Sequence, residues 1–237
     1  MEISPDGIVI IALGKFTVNA TVFFTWLNIL LLTAGAAFVT ARLRETTKMS
    51  RWQNLLEVIV EGIERQVEDI GLRPAREFVP FLGTIFLFIL TANILSVIPG
   101  YQAPTGSLST TTALAICVFI AIPWWGIRRR GFRGYFGLYL RPSPFMLPFN
   151  VIGELSRTLA LAVRLFGNVM SGGMIAAILL SVVPLIFPVV MQLLGLITGV
   201  IQAYIFAVLA AVYIAAAVKV EAGHEGQLQS TGGRDHG

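Results

Sequence analysis

Three charged side chains stand where charge is expensive. Between Pro142 and Val218 the only Asp, Glu, Lys, Arg or His residues are Glu154, Arg157 and Arg164. An ionised group at bilayer depth costs roughly 2.5–3.5 kcal/mol on insertion scales. Each must therefore meet protein, water or an opposite charge, and such residues read first as a functional pathway. At about 100° per residue, Asn150, Glu154, Arg157, Arg164, Asn168 and Ser171 share a stripe roughly 100° wide. The opposite face is Leu, Ile, Val and Ala. Glu154 and Arg157 are spaced to pair with each other, or to line a wet path. Arg164 lies roughly 10 Å further along the helix and has no acid at helical reach. Phe78 to Ile127 contains no acid either. A guanidinium keeps its proton at any reachable pH. Arg164 is thus a fixed positive post, able to attract a carboxylate but not to relay a proton. It either snorkels, pairs elsewhere in the chain, or takes its anionic partner from another subunit; the third reading is the sharpest.

A later stretch offers a complement. Gln192, Gly195, Gly199 and Gln202 recur along one side of the last apolar segment. Small residues admit a close neighbouring helix, and glutamine hydrogen-bonds across the gap. Gln192 and Gln202 are therefore either interhelical glue or, for Gln202, a partner that holds the Arg164 guanidinium.

The elements that position these residues are apolar spans. Of 237 residues, 56% are hydrophobic and only 13% charged; mean hydropathy is +0.79. That composition excludes a disordered chain, a disulfide scaffold and a nucleic-acid module, and leaves too little polar surface for a water-soluble domain. The expected fold class is all-α and polytopic: about five membrane helices near 18–41, 78–98, 110–127, 147–183 and 187–218. Pro184 and Pro188 make the last two a long hairpin. The segment 52–71 places Leu55, Leu56, Ile59, Ile63, Val67 and Ile70 at helical spacing, with Glu57, Glu61, Glu64, Arg65, Glu68 and Asp69 between. It is too charged to span. It reads as an amphipathic surface helix whose acidic face suits a protein partner better than anionic lipid. Residues 1–221 are expected to form a single membrane domain and 222–237 a flexible tail.

The net charge of +4 does not signal nucleic acid, because the basic residues cluster between spans. Arg42 to Arg51 and Arg128 to Arg141 form two such clusters, while Pro99 to Ser109 has no Lys or Arg. The positive-inside rule puts the basic loops and the C-terminus in the cytoplasm and the N-terminus outside. Glu2 and Asp6 precede the first Lys, which argues against a cleavable signal. Cys117 reads as a small apolar residue. There is no Gly-rich loop ending in Lys-Ser or Lys-Thr, and no cofactor is expected. A stand-alone transporter or channel, with Arg164 as an anion site, is the alternative; the lack of an internal repeat disfavours it.

Arg164-Leu165-Phe166-Gly167-Asn168, preceded by Glu154-Leu155-Ser156-Arg157, resembles the hallmark helix of subunit a of the F-type ATP synthase membrane sector. Gln202-Ala203-Tyr204-Ile205-Phe206, Trp52-Gln53-Asn54 and the run Asn93 to Thr112 are similar to matching stretches of that family. The sequence looks closest to its N-type subgroup, for which sodium transport is suspected. The resemblance implies a non-catalytic stator in a bacterial inner membrane, working with a ring of c subunits, the b subunits and the rest of the ATP synthase. Arg164 would face the ring carboxylate and separate two ion half-channels. Asn168 and Gln202 would be its polar partners, and Glu154 and Arg157 would line the cytoplasmic half-channel. Many members carry a Glu or His where this chain has Gly173, and a complement where it has Gly195. The outer half-channel would then be lined by Asn93, Ser171, Thr198, Gln192 or the Ser109 to Thr112 run, or by water alone.

Overall fold

The computed structural model describes residues 9–13, 16–41, 51–98, 100–139, 146–182 and 187–219. The expected tail at 222–237 lies outside them. A short antiparallel hairpin of β1 (Val9–Leu13) and β2 (Phe16–Asn19) leads into α1 (Ala20–Ala41). Five further helices follow: α2 (Arg51–Ile70), α3 (Val79–Leu95), α4 (Leu108–Tyr139), α5 (Met146–Val182) and α6 (Phe187–Lys219). Helices α1, α4, α5 and α6 are long and apolar enough to cross a bilayer. With 17 residues, α3 stands at the lower limit for a span. The architecture is that of an all-α polytopic membrane protein.

The core forms where α3, α4 and α6 meet, with one edge of α5. Phe78, Leu82 and Ile89 pack against Val118, Ile122 and Trp125, and against Phe206, Ala210 and Ile214. Alanines at 203, 210, 211 and 215 let neighbours approach α6 closely. Asn28, fully buried on α1, donates its side-chain amide to the Phe88 carbonyl at 3.1 Å and ties α1 to α3.

Helix α2 lies against α3 and α6, as its pattern dictates. Val67 is buried and Ile59, Ile63 and Ile70 are half-buried, while Glu57, Glu61, Glu68 and Asp69 are exposed. The Tyr204 hydroxyl donates to Gln66 Oε1 at 2.8 Å and fastens α2 to α6. Glu64 pairs with Arg76 at 3.2 Å, so that acid is engaged within the chain.

The third span overruns its expected end at 127. Its helix continues through Arg128, Arg129 and Arg130, because arginine is a good helix former. It breaks only at Gly131, where φ is +73° and ψ is 163°, a conformation that only glycine adopts at low cost. The chain then doubles back, and Tyr135 lies so close to Gly126 that an added Cβ there would meet its ring at 2.6 Å. The arginines are put to structural use. Glu77 bridges to Arg128 at 3.8 Å and to Arg129, and Arg130 donates to the Val218 carbonyl at 2.8 Å. These contacts fasten the ends of α3, α4 and α6 together.

Helices α5 and α6 differ in cover. Only 6% of the most apolar stretch of α5 is buried within the chain, against 44% for α6. Leu155, Leu159, Val163, Met174, Ile175 and Ile178 of α5 all stand exposed.

Candidate functional site

The site is built from the bare helix inward. On α5 the packed face is Thr158, Leu161, Ala162 and Leu165. The polar stripe runs along the edge of that face rather than opposite the core-forming residues, which corrects the sequence expectation. Arg164 consequently points past the edge and is exposed in the isolated chain. Among the described residues it makes no ion pair and no hydrogen bond.

The pairing suggested for Glu154 and Arg157 is not made. Arg157 is exposed and has no ion pair with a described residue, while Glu154 is half-buried and otherwise engaged. Gln202 is buried at 6% exposure, and its Nε2 has no hydrogen-bond partner among the described residues. It does not bond to Arg164. A buried amide N–H left without an acceptor costs about 1–3 kcal/mol, so this group calls for a partner outside the packed chain.

Asn168 lies one turn beyond Arg164. Its Nδ2 reaches across the hairpin to the Thr198 carbonyl at 3.4 Å. Asn93, buried on α3, donates to the Gly199 carbonyl of α6 at 3.0 Å. Gln192 donates to the Ser96 and Val97 carbonyls at 3.3 and 3.0 Å. Three amides thus stitch α3, α5 and α6 around a cavity of about 420 Å³. Asn93, Ser96, Gln102, Asn168 and Gln192 supply its polar walls, and Gly173 and Gly195 open onto it. A Cβ at either glycine would have no heavy atom within 4 Å. None of the residues lining this cavity is a carboxylate, an imidazole or a lysine.

Other expected lining groups are turned away. Ser171 bonds back to the Asn168 carbonyl at 3.3 Å, and Thr198 to those of Leu194 and Gly195 at 3.0 and 3.1 Å. Ser109 and Thr111 bond to Ser107. None of these four lines the cavity. Sequence reading missed Ser96 and Gln102. Ser96 shares a helical face with Asn93 at three-residue spacing and was open to detection; Gln102 lies in an aperiodic loop and gave no signal.

Gly199 is where side-chain-free backbone matters most, since a Cβ there would come within 2.9 Å of Asn93. Gly199→Ala is expected to push Asn93 off its carbonyl and to destabilise the α3–α6 contact by about 1–3 kcal/mol. A lowered melting temperature of the detergent-solubilised complex would register it.

The fold and site define a class: a polytopic helical membrane protein with a fixed cation on an uncovered helix, beside a neutral polar cavity. Residues 22–215 match the model of the family described as ATP synthase A chain. ATP synthase subunit a of Nitrosospira multiformis is 54% identical over 235 residues, which cover 99% of this chain and 94% of that protein. ATP synthase subunit a 2 of Acaryochloris marina is 61% identical over 185 residues, 78% of this chain and 79% of that one. The corresponding subunit a 2 of a Picosynechococcus strain is 58% identical over 185 residues, with the same coverage. The chain belongs to the ATP synthase A chain family, and is thereby a membrane component of an ATP synthase with a part in ion translocation.

Proposed function

We propose that this chain is the stator against which a ring of carboxylate-bearing c subunits turns, passing protons or sodium ions between two half-channels. The observation that carries the reading is Arg164: a permanent cation, exposed on a helix with almost no cover and without a counter-ion among the described residues. The apolar face of α5 can meet lipid or a helix equally well, but a charge at its edge needs an anion there. A ring subunit supplies an apolar surface and a carboxylate together. The cavity beginning at Asn168 serves as the outer half-channel and ends one turn short of Arg164; Glu154 and Arg157 mark the inner one. The orphan amide of Gln202 faces the ion or its water. Arg164 blocks direct passage, because a cation crossing between the half-channels must displace a like charge. Each ion therefore rides the ring.

In this reading the chain catalyses no reaction of its own. It works with the c ring and the b subunits, which hold it against rotation. The loop near Pro99 and the N-terminus lie outside, and the C-terminus lies in the cytoplasm. At roughly 1.5 Å rise per residue, α5 with 37 residues and α6 with 33 exceed a hydrocarbon core of about 30 Å and run inclined around the ring.

Contact with the ring is tested by cross-linking. Val163→Cys on the exposed face of α5, with a cysteine one turn from the ring carboxylate and Cys117 replaced by serine, should form a disulfide on oxidation of the assembled complex. Failure of every such pair along α5, in complexes that retain the ring, would remove the reading. The stand-alone transporter predicts ion flux from the purified chain in vesicles; none is expected.

A further inference from the structure

The loop between α3 and α4 concentrates polar atoms that packing does not satisfy. The Tyr101 hydroxyl, Gln102 Oε1 and Thr105 Oγ1 are all buried without a hydrogen-bond partner among the described residues. Thr105 is fully buried. The hydroxyls just beyond behave differently: Ser107 and Ser109 lie 2.6 Å apart, and Thr111 reaches the Ser107 carbonyl at 3.2 Å. Among the described residues of this loop, the deficit is confined to residues 101–105. Buried polar groups are almost always paired, with protein, ordered water or a ligand, and hydrogen-bonded waters in such places need several polar partners close together. The Tyr101 ring is held edge-on to Phe24 at 4.9 Å, so its hydroxyl has a set position. Burial pushes its pKa up to about 12, and it remains a neutral hydroxyl at working pH.

Gln102 is the member of this group that lines the cavity. The amide N–H groups of the other walls are committed: Asn93 to Gly199, Gln192 to Ser96 and Val97, and Asn168 to Thr198. Gln102 alone among these walls has a buried amide oxygen without a partner among the described residues. Neutral oxygen acceptors suit a hard cation with part of its water shell, since they replace hydration oxygens without trapping the ion.

We propose that Gln102 is a specificity-determining residue of the cavity, where its Oε1 takes up the partly hydrated transported cation. The assignment rests on the stator reading and adds to it the entry point and the group that receives the ion there. An amide oxygen only accepts, so it suits a cation or a water donor rather than an anion. Positioned outside the Arg164 barrier, it controls loading and release on one side only.

The test uses the whole ATP synthase in sealed vesicles, with ATP-driven ion uptake and ATP hydrolysis measured together. Gln102→Leu keeps the volume and removes the oxygen. It should slow uptake several-fold and raise the ion concentration needed for half-maximal rate, with subunit content unchanged. Gln102→Glu, which restores an oxygen, should recover the rate and lower that concentration. In a Cys117→Ser background, Gln102→Cys should react with a charged, membrane-impermeant thiol reagent from the outer face only, and lose uptake on reaction. Wild-type uptake and ion dependence in Gln102→Leu would overturn the assignment, as would a Gln102→Cys that the reagent cannot reach. Arg164→Ala in the same vesicles separates the two claims. If it stays coupled, the stator reading fails; if it is dead while Gln102→Leu is normal, only the role of Gln102 fails.

Discussion

Arg164→Ala and Arg164→Gln are expected to reduce coupled ion transport to background while leaving the complex assembled. The expectation comes from two observations taken together. Arg164 is exposed and holds no described residue in place, so the fold does not need it. Its charge is nevertheless the only one on the described part of α5 beyond Arg157, so nothing nearby substitutes for it. Neutral glutamine preserves bulk and hydrogen bonding but not the permanent charge that repels a passing cation and draws a carboxylate. The measurement is ATP-driven uptake in vesicles alongside immunodetection of the ring and stalk subunits. A coupled complex lacking this guanidinium would end the stator account.

The second large effect concerns the cavity. Gly173→Leu combined with Gly195→Leu should fold normally, because the space beside both glycines is open. The two side chains would fill much of the route between Gln102 and Asn168. Raising the barrier to ion entry by only about 1.4 kcal/mol slows passage tenfold, and two leucines across a cavity of about 420 Å³ should exceed that. ATP-driven uptake is expected to fall at least to that extent, while Gly173→Ser, small and polar, stays close to wild type. Unchanged uptake in the double leucine variant would show that ions reach Arg164 by another way.

Most helices were legible because apolar length and breakers decide them. The amphipathic pattern of 52–71 corresponds to α2 within one residue at each end, and the expected span 78–98 to α3, which stops three residues short at Leu95. The overrun of α4 past Ile127 shows that a membrane boundary is not a helix boundary: arginine ends the one and extends the other until Gly131. The polar stripe on α5 was readable, but the packed face was not. Lipid and a neighbouring helix are equally apolar, so periodicity cannot tell Leu161 and Leu165 from Leu159 and Val163. Ser171 and Thr198 bond back to their own helices, as a hydroxyl inside a helix readily does, and do not line the cavity. The amides at 93, 168 and 192 reach across helices instead.

The bareness of α5 has a mechanical consequence. Most of its outward side chains are leucine, isoleucine, valine, methionine and Phe149, which make no directional bonds. A surface of that kind grips a moving neighbour without indexing it, because dispersion contacts re-form equally well after each small displacement. Apart from the exposed Arg157 and Arg164, such a bearing has no charged detents. The angular positions at which a rotor pauses would then be set by these few charges, and friction elsewhere would stay low.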